Sequence, residues 1–237
     1  MRGKGRSMDT STVIILDFET TGLSTDCGDR AIEIGAVRLD DWMVTDHFQG
    51  IMNPGFRISP FIEAFTGISN DMVEAAPPCE EVMAQFAEFI GDHPLVAHNA
   101  AFDRRILDSE FRYIGRERTN IMACSMLTAR RVFPRAPNHK LGTLVDYCGI
   151  FTDGIFHRAL ADAEMTCRLW VRMMDEIRES YGIDRVTFDL LHRLSSVARA
   201  QTPAYLRRIA CGQDRSMAPE QTQRGRGTGA GAHTNTL

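Results

Sequence analysis

The sequence predicts an α/β fold, a mixed β-sheet with helices packed on it. Three observations lead there. Residues 13–18 (V-I-I-L-D-F) form a short, continuous run rich in β-branched side chains, as expected of a strand buried on both faces. Residues 31–39 alternate Ile32, Ile34, Ala36 and Arg38 against Glu33, Gly35, Val37 and Leu39, which reads as a second strand. From about residue 80 onward, helically spaced apolar residues alternate with brief apolar runs. Strands first and helix–strand alternation afterwards give a mixed rather than an all-parallel sheet. No internal repeat is visible.

Each element follows from its residues. Asp40-Asp41 signals a turn after the second strand, and 47–51 completes a three-stranded meander. The next stretch reads as irregular and ends at Pro77-Pro78. Residues 80–90 then place Val82, Met83, Phe86, Phe89 and Ile90 on one helical face, stopped by Gly91. Leu95–Ala97 is a short strand, and Asn99 or Ala100 opens a helix running to about Ile114. Residues 121–124 form one more strand, after which Ser125 caps a helix over 126–133. Further helices cover 140–148 and, as the longest, Ala159–Tyr181. Beyond Gly182, 186–199 is amphipathic through Phe188, Leu191, Leu194 and Val197. Thr202-Pro203 then suits the start of a short helix ending near Gly212. Residues 213–237 lack aromatics and are rich in Gly, Thr, Gln and Arg, so they are expected to be disordered.

Composition narrows the function. At ~150 residues per domain, 237 residues suit one compact domain with an appendage. A net charge of −4 argues against holding DNA by bulk positive charge, although carboxylate-bound cations can supply positive charge locally. Six cysteines without a C-x-x-C pair read as thiols in a reducing compartment rather than as a zinc ribbon. No stretch reaches the ~18 apolar residues of a membrane span, and residues 1–11 form neither signal peptide nor anchor. The expectation is a flexible N-terminus, no membrane partner and a cytoplasmic protein.

Three groups of residues carry chemistry. Asp17 and Glu19, two apart at the end of the first strand, point to the same face. Two carboxylates in an apolar setting call for a cation between them, and oxygen donors suit Mg²⁺ or Mn²⁺. On its own the pair also fits a turn cap with Glu19 in water. Asp103 falls in the first turn of the helix that Asn99 can cap, where the helix dipole favours its charge; read alone, it equally fits a surface residue. In a continuous helix His157 and Asp162 would fall on different faces; they converge only if His157 lies in the loop before it, as Gly154 supports, and Asp162 in its second turn. A histidine so placed suits a general base, although an ordinary loop histidine has the same look.

Taken together the groups resemble one pattern. D-F-E-T-T-G at 17–22, H-N-A-A-F-D at 98–103 and H-R-A-L-A-D at 157–162 resemble the three motifs of the DnaQ-like (DEDDh) 3′→5′ exonucleases, over roughly residues 12–181. Within that family the greatest likeness is to proofreading epsilon subunits of DNA polymerase III, also through T-G-I-S-N-D-M-V at 66–73 and F-P-R-A-P-N at 133–138. The resemblance implies a ribonuclease-H-like fold, an exonuclease domain over 12–182 and a helical extension over 183–212. It implies that Asp17, Glu19, Asp103 and Asp162 hold two divalent cations, Mg²⁺ or Mn²⁺. Asp17 would bridge the ions, Glu19 and Asp162 would serve the tighter one, and Asp103 the looser one through water. His157 would be the base, releasing nucleoside 5′-monophosphates.

Substrate contacts follow in the same way. The resemblance places the terminal nucleotide against Thr20, Thr21, Gly22 and Leu23, with Leu23 wedged at the base, and against His98, Asn99 and Phe102 of the second motif. Phe65 is a candidate for base stacking, and equally fits a core residue. Thr66 departs from the histidine usual in epsilon subunits. Residues 129–140, with Arg130, Arg131, Arg135 and Lys140 and no acid, suit a track for single-stranded DNA, but Arg104-Arg105 and residues 112–118 are equally basic on another helix, and a solvated face reads the same for either cluster. The substrate implied is a single-stranded or frayed 3′ end, DNA before RNA. The resemblance extends to a polymerase III alpha subunit and a sliding clamp as partners, and a stand-alone repair exonuclease or an exoribonuclease fits the same motifs. Residues 201–206 (Q-T-P-A-Y-L) loosely resemble a clamp-binding peptide, but Pro203 and the expected helix oppose its extended form.

Overall fold

The structure is a computed structural model that describes residues 12–151 and 158–217. The expected N-terminal segment 1–11 and residues 218–237 of the expected tail lie outside the described residues. Five strands, β1 (Thr12–Thr20), β2 (Ala31–Asp40), β3 (Met43–Ile51), β4 (Leu95–Ala97) and β5 (Met122–Cys124), form one sheet in the order β3-β2-β1-β4-β5. β1–β2 and β2–β3 are antiparallel, whereas β1–β4 and β4–β5 are parallel. The mixed α/β sheet expected from the sequence is thus observed. The helices are α1 (Pro60–Thr66), α2 (Asn70–Ala75), α3 (Cys79–Ile90), α4 (Ala101–Tyr113), α5 (Ser125–Val132), α6 (Leu141–Tyr147), α7 (Ala159–Tyr181), α8 (Phe188–Leu194) and α9 (Thr202–Met217).

β1 is apolar on both faces because both are covered. Ile14, Leu16 and Phe18 join Met83, Phe86, Ile106 and Leu107 under α3 and α4. Val13 and Ile15, with Val37 and Leu39 of β2, join Leu169, Trp170 and Met173 of α7 on the other side. That second core also takes in Phe188, Leu191 and Leu194 of α8 and Leu206 of α9, so the C-terminal helices complete the core under the sheet. A smaller cluster of Ile32, Ile58, Ile62, Ile68 and Val73 lies beneath α1 and α2.

Several local expectations change. The stretch read as irregular holds α1 and α2, each started by a serine. Ser59 Oγ accepts from Ile62 N (3.3 Å) and Ser69 Oγ from Met72 N (3.2 Å). Such helices are too short, and carry too few buried residues, to show a helical period. β3 begins at Met43 rather than His47, because the first five residues of this edge strand are exposed and need no apolar alternation. The β2–β3 hairpin turns at Asp41 and Trp42, both with positive φ (49° and 67°), as a two-residue turn requires.

Ser125 is the first residue of α5 and not its cap; its hydroxyl serves His98 and Ala97 instead. Asn99 does not cap α4 with its side chain. It takes a left-handed φ of 67°, and its carbonyl accepts from Phe102 N at 3.0 Å. α8 ends at Leu194 instead of Arg199, where the Ser195 hydroxyl turns back to donate to His192 O (2.6 Å). Thr202 is no N-cap, since a 3₁₀ turn over Arg199–Gln201 runs straight into α9. α9 continues past Gly212 to Met217, so five residues assigned to the tail are helical.

Candidate active site

Along β1, Asp17 and Glu19 continue the row of Val13 and Ile15 and so face α7. Asp162 stands in the first turn of α7. One ligand oxygen from each of Asp17, Glu19 and Asp162 lies within 4.8 Å of the others, the group of possible metal-holding acids found among the described residues. Two residues on β1 and one far along the chain meet because α7 crosses the sheet at this point.

What lets α7 come so close is the strand beside β1. Gly35 of β2 is the cross-strand partner of Asp17. A Cβ there would collide with Ala159 C and Leu160 N, so the backbone of α7 rests directly on the glycine. Glu33, the partner of Glu19, is fully buried and fastens the start of α7. Its carboxylate accepts from Ala159 N (3.1 Å), from Arg158 Nε and Nη2 (3.2 and 2.9 Å) and from Gln49 Nε2 (2.9 Å). In the sequence both residues are ordinary members of the second strand, with no functional assignment. A lone glycine inside a strand was the available signal.

Asp103, 2% exposed, enters from α4 and lines the same cavity as Asp17 and Glu19, though it is not in the three-acid group. His98 also lines that cavity, with both ring nitrogens engaged: Nε2 donates to His139 O (3.0 Å), and Nδ1 is 2.9 Å from Ser125 Oγ. His157, expected as the base, lies outside the described residues. Arg158, next in the chain, is the residue tied to Glu33.

The cavity measures about 510 Å³, and its floor is acidic. Thr20, Thr21, Gly22 and Leu23 form one wall, with Leu23 79% exposed at its rim. The turn is tied internally: Thr20 Oγ1 donates to Gly22 O (2.6 Å), Thr21 Oγ1 donates to Asp29 (3.0 Å), and a Cβ on Gly22 would collide with the Asp29 carboxylate. Phe65 and Phe102 line the cavity as well, while Asn99 does not. α1 adds residues that the sequence reading missed, above all Phe61. It is 71% exposed and stacks on Phe65 with ring centroids 5.9 Å apart. Thr66 is buried; its hydroxyl donates to Ile62 O (2.8 Å) and accepts from Ile68 N (3.1 Å), and so holds α1 together.

Residues 14–170 match the RNase T exonuclease family, which encloses the three acids and the turn beside them. The chain belongs to that family. It is 32% identical over 173 residues to the DNA polymerase III subunit epsilon of Aquifex aeolicus, covering 73% of this chain and 85% of that protein. It is 38% identical over 175 residues to the DNA polymerase III PolC-type of Bacillus cereus, but spans only 12% of that much longer protein. Among solved structures, Exonuclease X in complex with 5′ overhanging duplex DNA superposes with a TM-score of 0.62 at 26% identity, covering 77% of this chain and 99% of that one. The nuclease domain of 3′hExo, a DEDDh family member bound to rAMP, has a TM-score of 0.62 at 21% identity over 71% of this chain and 94% of that one, a likeness of fold. The fold is therefore ribonuclease-H-like, as the motifs implied.

The electrostatics of this candidate site suit cations. Burial, reinforced by Asp103, Asp162, Glu19 and Glu33, pushes the Asp17 carboxyl far above the usual carboxylate range. Glu19 rises to about 8 through burial and then the charges of Asp162, Glu33 and Asp103, with Arg158 pulling it down. Asp103 rises to about 7 by burial, against the pull of its own and Phe18's backbone N–H groups. Burial first, and mutual repulsion at Asp17 and Glu19, favour the protonated carboxyl when no cation is bound. A buried set of carboxylate oxygens that repel one another fits hard divalent cations, which is the donor chemistry of Mg²⁺ and Mn²⁺. His98 is driven the other way, to about 4, by burial, so it stays neutral at physiological pH.

Proposed function

We propose that this exonuclease-family chain removes nucleoside 5′-monophosphates from the 3′ end of single-stranded or frayed DNA, with two divalent cations held by Asp17, Glu19, Asp162 and Asp103. The observation that carries the reading is the convergence of Asp17, Glu19 and Asp162, beside a cavity lined by Asp17, Glu19 and Asp103 together with the exposed side chains of Leu23, Phe61 and Phe65. When bound, Mg²⁺ or Mn²⁺ supplies positive charge against the negative charge that develops on the phosphate and the leaving oxygen. The chain's own residues do the rest. His157 takes the proton from the attacking water. Thr20–Leu23 form the turn that positions the terminal sugar, with Leu23 against one face of the base. Phe65, backed by Phe61, stacks on the terminal bases. His98, neutral and doubly hydrogen-bonded, acts as a spacer between the second motif and the start of α5.

DNA is favoured over RNA by the likeness to an epsilon subunit and to Exonuclease X on DNA. The epsilon likeness also carries the proposal of a polymerase III alpha subunit as partner. Residues 201–206, compared above with a clamp-binding peptide, are helical and bury Leu206, so we place no clamp contact there.

The test is a 5′-labelled single strand of about twenty nucleotides, in DNA and RNA versions, incubated with Mg²⁺. A ladder shortening one nucleotide at a time, faster on DNA and absent with chelator, is expected. Immediate release of labelled mononucleotide, or cuts in the middle of the strand, would overturn the polarity; a faster RNA ladder would make it an exoribonuclease.

A further inference from the structure

The cations of this net-acidic chain are unevenly distributed. Residues 125–145 contain Arg130, Arg131, Arg135 and Lys140 and no Asp or Glu. Residues 190–213 contain Arg193, Arg199, Arg207 and Arg208, again with no acid. The fold docks these two segments together. Arg131 Nε donates to Val197 O at 2.9 Å, and Arg199 Nη2 donates to Pro134 O at 3.3 Å. The seam continues to the cavity, since His98 in its wall donates to His139 O in the same α5–α6 connection. Outside the seam, Arg116 pairs with Glu88 and Arg118 with Asp108; within the second segment, Arg193 pairs with Asp189, just ahead of its acid-free run. Arg130, Arg131 and Arg199 have no carboxylate in salt-bridge reach among the described residues. Burial and the charges of Arg130 and Arg199 accordingly lower the pKa of Arg131. Uncompensated guanidinium groups, those of Arg131 and Arg199 held by backbone carbonyls, repel one another, and a polyanion crossing them relieves that repulsion.

We propose that this seam binds the phosphate backbone of a single strand behind the nucleotide in the cavity, and that Arg199 strengthens the binding of strands long enough to reach it. The inference rests on the nuclease function proposed above and adds a part to it. Arg199 lies beyond residue 170, where the family match ends, so this half of the track belongs to the C-terminal segment.

The test uses the full chain with two probes. Binding of a fluorescein-labelled (dT)₂₀ strand is followed by anisotropy in Ca²⁺ across a salt series, and hydrolysis is measured on (dT)₂₀ and on the p-nitrophenyl ester of thymidine 5′-monophosphate. For Arg199→Gln, the slope of log K against log salt should fall by about 0.7. Its Kd and KM for (dT)₂₀ should rise roughly fivefold at unchanged kcat, the loss of one phosphate contact, while ester hydrolysis stays as in the wild type. Arg130→Gln, on the facing segment, repeats the measurement if the first variant melts early. An unchanged salt slope, or equal losses on ester and strand, would overturn the inference and leave the seam to an acidic protein. If the wild type hydrolyses neither substrate, the nuclease reading fails, while the salt slope still decides the seam.

Discussion

Asp17, Glu19 and Asp103 are carboxylic acids whose folded pKa values lie above their unfolded ones, with Glu19 at about 8 and Asp103 at about 7. Their contribution to stability is full below the unfolded pKa near ~4 and is lost as pH rises through those folded values. Between pH 6.5 and 9 the metal-free protein should therefore melt at lower temperature as pH increases. Below that window the trend is opposed by His98, buried neutral with a pKa near 4, which loses stability as pH falls through ~6.5. Thermal melts in chelator check the trend, and a melting temperature that climbs from pH 6.5 to 9 would contradict it. Asp17→Asn removes a repelled carboxylate, so at pH 8 without metal it should raise the melting temperature while lowering hydrolysis by several orders of magnitude. His157→Ala should cost a similar factor in rate with metal affinity preserved; a variant within tenfold of wild type would remove His157 from the base role.

The elements that position these residues differ in how openly the sequence declares them. β1 was legible because burial on two faces demands an unbroken apolar run, and α7 because its apolar stripe extends over 23 residues. Gly35 shows what was harder to read: its role depends on a helix more than a hundred residues away resting on its Cα. Gly35→Ala should push the N-terminus of α7 off the sheet and carry Asp162 away from Asp17. A displacement of that kind costs about a hundredfold in kcat with little change in KM, and steady-state kinetics on (dT)₂₀ would detect it. Activity within a factor of three of wild type would show that α7 need not lie so close. Glu33→Gln weakens the same junction through a buried carboxylate with four donors, and a loss of about 1–3 kcal/mol is expected in denaturant unfolding. The acids themselves were readable as motifs. α1 was not, since its anchors are one serine cap and one fully engaged threonine, and Phe61 and Phe65 face outward where no core periodicity marks them.

At the scale of the molecule, the nuclease fold and the C-terminal helices share one hydrophobic core. Phe188, Leu191, Leu194 and Leu206 are each 2% exposed or less. At ~1.5–3 kcal/mol per buried side chain, the four together come to about 6–12 kcal/mol, comparable with the ~5–15 kcal/mol margin of most domains before their partners are uncovered as well. A chain truncated after Gly182 should be aggregated or molten by near-UV circular dichroism, and an unchanged cooperative melt would contradict that. The central claim is that acids from β1, α4 and α7 converge to hold divalent cations. Calorimetric titration with Mn²⁺ at pH 7 and at pH 9, in buffers of differing ionisation enthalpy, tests it most directly. Binding should release about one proton or more at pH 7 and less at pH 9, and Asp17→Asn should show no binding of comparable affinity. Binding that displaces no protons at pH 7, or that survives intact in Asp17→Asn, would contradict it.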